Sequence, residues 1–145
     1  MTRVDWVDDG RGRPHVAVGT DVVVGLLRGH RASEAAVEAA MYIFGRTPAI
    51  SSLTRFELER GPRDARGRQR LEALLSGWPV WPFASGDAAS AASLAGAPGC
   101  RAGELDLLVA AVAVEREAPL LTHAAPTFRR IPGLRVWDAS APPPL

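Results

Sequence analysis

A chain of 145 residues, 47% apolar and 23% charged, is long enough to bury one core and ordinary enough in composition for a globular domain. Its net charge of +1 excludes a global field drawing it to nucleic acid, so any such binding must come from local patches. One cysteine, Cys100, excludes an internal disulfide framework and a cysteine-rich zinc site, and no apolar run reaches the roughly 18 residues of a membrane span.

The first residues lack the apolar core of a signal peptide, so the expected location is cytoplasmic, with no membrane partner. All 17 basic residues are Arg, which suits phosphate recognition and equally suits a GC-rich genome. Residues 1–14, rich in Asp, Gly and Pro, read as a flexible extension. Within it Val4, Trp6 and Val7 offer a short edge strand or a docking contact. The domain proper is expected over 15–138. HVAVGT at 15–20 is a β-branched run, expected to be a buried strand. Asp21 follows it, then VVVGLLRG, a short helix stopped by Gly29. Ser33 is placed as the cap of a second helix, with Val37, Ala40, Met41 and Phe44 on one face and Gly45 at its end.

PAIS at 48–51 reads as a second strand. Ser52 or Thr54 then opens a helix carrying Glu57 and Glu59. Residues 64–76 form another helix, with Leu71, Leu74 and Leu75 inward and Gly77 at its end. WPVWPF is a third strand, and its prolines suit an edge. GDAASAASLAG is a small helix, and APGCRAG is a loop. GELDLLVAAVAVERE at 103–117 is the helix around which the rest is organised. Its broad apolar stripe requires burial, while Glu104 and Asp106 sit in an open first turn. Acids there also simply complement the helix dipole. PLLT at 119–122 is a fourth strand, residues 127–130 a turn of helix, LRVWD a last strand, and 139–145 a Pro-rich tail.

Strands alternating with helices predict a three-layer α/β/α sandwich around a mostly parallel sheet. In such sheets ligands sit beyond the carboxyl ends of the strands. Thr20 and Asp21 follow the first strand, Glu57 lies on the helix after the second, and Thr122 and His123 end the fourth. If the first and fourth strands are neighbours, these groups converge with Glu104 and Asp106. Carboxylates gathered in one cleft repel each other unless a cation sits among them. Oxygen ligands without His or Cys select a hard ion, Mg²⁺ or Mn²⁺. Such an ion suits phosphodiester hydrolysis.

From Val16 to Trp137 these residues resemble the PIN-domain ribonucleases, in particular the VapC toxins of bacterial toxin–antitoxin pairs. A family pattern like LLDTNVLIELLRG appears as VAVGTDVVVGLLRG. ISVVTLAELLYG appears as ISSLTRFELERG and places Glu57 on the family's acid. GDADLLIAA appears as GELDLLVAA, with Asp106 on the acid before the triplet and Glu104 on the one that often precedes it. LVTRNVRDFARIPGLRV appears as LLTHAAPTFRRIPGLRV. Two acidic places differ: the Asp of DTN is Gly19, with Asp21 in the Asn place, and the Asp of the DF pair is Thr127. The Asn of that last pattern is Ala124.

The resemblance implies Mg²⁺-dependent cleavage of RNA. Glu57 and Asp106 would hold the metal, with Asp21 and Glu104 completing the site. It implies a homodimer and a small cognate antitoxin laid near the first helices, where VVVGLL and Val37, Met41 and Phe44 are candidate contacts or plain core. Thr20, Thr122, His123 and Arg55 are the candidate substrate-phosphate contacts. The Arg-rich stretch from Arg55 to Arg70 reads as an RNA track or as a solvated face paired with Glu59 and Glu72. The alternative function is a catalytically silent module of the same fold that binds RNA or a partner protein.

Overall fold

The structure, a computed structural model, describes residues 15–141; residues 1–14, with Val4, Trp6 and Val7, and tail residues 142–145 lie outside the described residues. The chain alternates strand and helix. β1 (Ala17–Val18) leads to α1 (Thr20–Leu27) and α2 (Arg31–Phe44), and β2 (Ile50–Ser51) to α3 (Ser52–Glu59) and α4 (Ala65–Leu75). β3 (Val80–Trp81) leads to α5 (Ser85–Ala95) and α6 (Glu104–Glu115). β4 (Leu120–Thr122) is followed by α7 (Ala125–Phe128) and then β5 (Val136–Asp138).

Every ladder among the described residues is parallel. β1, β4 and β5 form one sheet and β2 and β3 another, and a bridge between Ala17 and Ala49 joins them. The spatial order is therefore β3-β2-β1-β4-β5. The chain moves outward from β1 on one side and, from β4, on the other. That makes the β1/β4 boundary the switch point, where parallel sheets open a crevice at their carboxyl ends.

Strand alternation divides the core in two. Val16, Val18, Ile50, Leu121 and Trp137 face α1, α2 and α4. Ala17 and Leu120 face α6, with Phe128 and Ile131. Burial on both faces explains why the strands are short apolar runs without polar alternation. Each fully buried Leu or Ile contributes roughly 1.5–3 kcal/mol by leaving water. α6 follows the same logic, being buried from Val109 to Ala113 while its first turn stays open. Across the second layer, buried Asp87 of α5 accepts from Arg116 at 2.9 Å, and the Arg116 guanidinium lies 5.4 Å from the Trp81 ring centroid. A buried acid persists only with such a partner.

Several local details differ from the sequence expectations. Ser33 does not cap α2. The N-cap is His30, and Ser33 is fully buried with its hydroxyl 2.7 Å from His123 Nε2. α3 is capped by Ser51, the last strand residue, whose Oγ accepts from the Thr54 amide at 3.0 Å. α7 begins at Ala125, because Pro126 suits a helix start. Of the candidate contact surface, Val22, Val23, Val37 and Phe44 are core, and only Met41 is exposed, beside an 82% exposed Tyr42. Gly45 adopts the left-handed conformation that ends α2, as its position predicts.

The closest approach of α1 to α2 depends on Gly25. A Cβ there would lie 2.0 Å from Ser33 Oγ and 2.8 Å from Ser33 Cβ. Rotating the serine would relieve the first contact but not the second, and would break its bond to His123. Gly25→Ala is expected to lower stability by about 2–3 kcal/mol, read as a lower denaturation midpoint with an unchanged m-value. An unchanged midpoint would show that the two helices are free to separate.

Candidate metal and phosphodiester site

The crevice at the switch point is a cleft of about 350 Å³. Asp21, Glu57 and Asp106 line it together with Thr20, Thr54 and Thr127. Three different elements supply the acids. Asp21 sits in the first turn of α1, Glu57 on α3 and Asp106 in the first turn of α6. Val109 and Phe128 form apolar walls, and among the described residues no Arg or His lines the cleft.

Each acid is held differently. Glu57 Oε1 accepts from Thr20 Oγ1 at 2.8 Å, so the hydroxyl fixes the carboxylate across 37 residues of sequence. Asp21 is more heavily bonded. Its Oδ1 accepts from the Val22 amide at 2.8 Å, and its Oδ2 accepts from Thr122 Oγ1 and the His123 amide, both at 2.9 Å. Asp21 thus ties the start of α1 to the end of β4. Among the described residues Asp106 has no such donor. Burial first, and then the charges of Glu57 and Asp21, hold its carboxyl above the ordinary Asp range.

The remaining expected site residues lie elsewhere. Glu104 is exposed at the first position of α6 and does not line the cleft. Thr122 is fully buried, donating to Asp21 and accepting from the Ala124 amide at 3.0 Å. The His123 ring spans Ser33 and Ser140, with 2.7 Å bonds at Nε2 and Nδ1. Arg55 pairs with Glu59 at 2.7 Å and with Glu72, the solvated-face arrangement. Ala139 and Ser140, counted with the tail, pack onto the domain, with the Ala139 amide donating to Thr122 O at 2.8 Å. Sequence reading passed over Thr54 as a lining residue. Its place three residues before Glu57, on the same helix face, is the signal that would have found it.

Whether a divalent cation fits can be judged from the donors. Among the described residues no three His, Cys, Asp or Glu side chains stand close enough to form a ligand cluster. The reason is visible at Asp21, whose oxygens are turned to Thr122, His123 and Val22. Yet a site with one or two carboxylates, completed by water and substrate phosphate, is how Mg²⁺ commonly binds. Glu57 and Asp106, in a cleft that no Arg or His lines among the described residues, meet that requirement.

The raised Asp106 carboxyl has a consequence for stability. The folded state binds this proton more tightly than the unfolded chain, so stability falls as pH rises through the interval between the two pKa values. The penalty is complete above the folded pKa and relieved below the ordinary Asp value. In chelator at neutral pH, Asp106→Asn is expected to melt above the parent, and the gap should close on acidification. A variant that melts lower at neutral pH would mean Asp106 is satisfied by the fold alone.

Residues 16–134 match the PIN-domain family. No curated protein matches the chain. Among solved structures, a chain of VapBC2 from Rickettsia felis bound to a promoter DNA fragment superposes with a TM-score of 0.72 at 23% identity, covering 85% of this chain and 97% of that one. A toxin–antitoxin complex from Klebsiella pneumoniae contains a chain with TM-score 0.72 and 23% identity, covering 86% and 97%. VapBC-1 from nontypeable Haemophilus influenzae has one with TM-score 0.70 and 20% identity, covering 87% and 98%. At these identities the likeness concerns the fold, whereas the family match spans most of the sequence. With parallel strands, a carboxyl-end acid cleft and that match in agreement, the chain belongs to the PIN-domain family.

Proposed function

We propose that this protein is a Mg²⁺- or Mn²⁺-dependent endoribonuclease of the VapC toxin type, working in the cytoplasm as a homodimer and silenced by a small antitoxin. The observation that carries the reading is the cleft at the β1/β4 switch point, which Glu57 and Asp106 line with no Arg or His beside them among the described residues. The similar folds among toxin–antitoxin complexes support the partner. No described helix is long and apolar enough to cross a membrane.

A bound divalent ion would supply an activated water and neutralise charge on the phosphate. Glu57 and Asp106 would hold that ion. Thr20 keeps the Glu57 carboxylate pointed, so one ligand is preorganised before binding. Asp21 keeps the cleft floor in place by joining α1 to β4 and adds negative potential. Glu104, exposed at the start of α6 and outside the lining, has no part in holding the ion on this reading. A silent binding module is favoured by one feature, the commitment of both Asp21 oxygens to internal donors.

The test is calorimetric titration of Mg²⁺ and Mn²⁺ into the protein and into Asp106→Asn. Binding at millimolar or lower concentration that disappears in the variant supports the hydrolase. Equal heats in both would leave only the silent module.

A further inference from the structure

A second hollow, of about 660 Å³, adjoins the acid cleft, and Asp21 borders both. Its chemistry is the opposite. Arg28, His30 and Arg31 from the α1–α2 turn line it, with His123 beyond. Arg28 and Arg31 are exposed, and among the described residues neither has an ion-pair partner. Asp21, the one acid in the lining among the described residues, already accepts three hydrogen bonds. Its charge is thus partly answered before any ligand arrives. The N-cap of α2, His30, makes no side-chain cap bond, so the first amides of that helix face the hollow's side uncapped. Glu34 in the same turn, 4.0 Å from a Cβ built on Gly29, offsets part of their potential but leaves the two guanidinium groups in excess.

This basic patch is not the Arg-rich run that the sequence draws attention to. There Arg55 is taken up by Glu59 and Glu72, Arg60 lies over the Phe56 ring, and Arg70 donates to Leu27 O. Arg28 and Arg31 are only two residues in sequence, but the turn between α1 and α2 brings both to one hollow beside the acids. An extended polyanion lying across Asp21 would meet the acid cleft on one side and the guanidinium pair on the other.

We propose that the Arg28–Arg31 hollow holds a backbone phosphate of single-stranded RNA, next along the strand from the phosphate in the acid cleft. The inference rests on the ribonuclease reading and deepens it, by assigning the path of the strand past Asp21. The phosphate in the cleft needs a metal to overcome the acids, whereas the neighbouring phosphate meets fixed positive charge. The hollow therefore anchors the strand without metal and sets its direction.

The experiment is fluorescence anisotropy with a labelled single-stranded RNA, in chelator so that the strand stays whole, over a range of salt. Arg28→Gln/Arg31→Gln is compared with Arg66→Gln/Arg68→Gln, which removes the same charge from exposed positions of α4. All four positions are exposed, and melting curves confirm that both variants remain folded. The first variant is expected to bind about 5- to 10-fold more weakly, with the slope of log K against log salt smaller by about 0.7 for the lost phosphate. The second variant should stay within about twofold of the parent.

Equal losses in the two variants would show only diffuse attraction and overturn the assignment. No RNA binding by the parent would overturn it too. A poly-glutamate peptide displacing RNA from the parent at equal charge concentration would assign the hollow to an acidic protein partner instead. The metal titration above is independent of Arg28 and Arg31. Metal binding with unaltered RNA affinity in Arg28→Gln/Arg31→Gln therefore defeats this inference alone, while absent metal binding defeats the ribonuclease reading.

Discussion

Asp106→Asn is expected to lower metal-dependent RNA cleavage by two to three orders of magnitude while leaving the fold intact. Burial and the charges of Glu57 and Asp21 disfavour the Asp106 charge, and among the described residues no hydrogen-bond donor offsets them. That is the expected state of a ligand waiting for a cation. On the proposed reading, neutralising it would remove a direct metal ligand, and losing one strong charge-stabilising contact typically costs about 3–4 kcal/mol in the transition state. Glu57→Gln should follow closely, since its carboxylate is already oriented by Thr20. The assay is initial rate on single-stranded RNA with Mg²⁺, with DNA alongside. A variant retaining more than about a tenth of parental activity would place the chemistry elsewhere.

The second large effect concerns position 19. In the VapC pattern an Asp occupies this place, and restoring it looks from sequence like a gain. The structure predicts the reverse for the single change. A Cβ on residue 19 would lie 2.9 Å from Asp21 Oδ1, 3.5 Å from Leu121 O and 3.6 Å from the Thr122 Cβ. The Asp21 carboxylate reaches back into the space that an acid at 19 would use, and three donors hold it there.

Gly19→Asp is therefore expected to cost about 1–3 kcal/mol through overpacking and like-charge repulsion, and to lower rather than raise cleavage. Gly19→Asp/Asp21→Asn removes the repelling charge and recreates the family order of side chains. It should recover at least about half of the lost stability and cleave at least about tenfold faster than the single variant. The test is thermal melting and initial rate for the parent, the single and the double variant. A single variant as stable as the parent, and more active, would show that Asp21 does not fill this space.

How much was legible in the sequence follows from the range of each interaction. Short apolar runs separated by helical stripes were enough for the α/β class, because strand burial on both faces leaves a contiguous signal. Glu57 and Asp106 were legible because each sits in a local motif at an element whose type the pattern already determines. Gly45 and the buried middle of α6 were likewise local matters of backbone and periodicity.

Other features joined residues far apart, and only tertiary structure decided them. Asp21 is bonded to residues 101 and 102 positions away, which makes a residue at the end of a strand into the link between α1 and β4. Ser33 had the composition of a cap, but its burial against Gly25 and its bond to His123, 90 positions away, gave it a different place. Arg55 and Arg28 are indistinguishable as sequence. One is neutralised by Glu59 and Glu72 and the other lines an open hollow beside the acids. The sequence by itself thus determined which residues could carry charge and which elements they ride on. The tertiary structure decided which charges meet, because the energy of a charge depends on the partners and burial within a few ångströms, and chain order does not encode that distance.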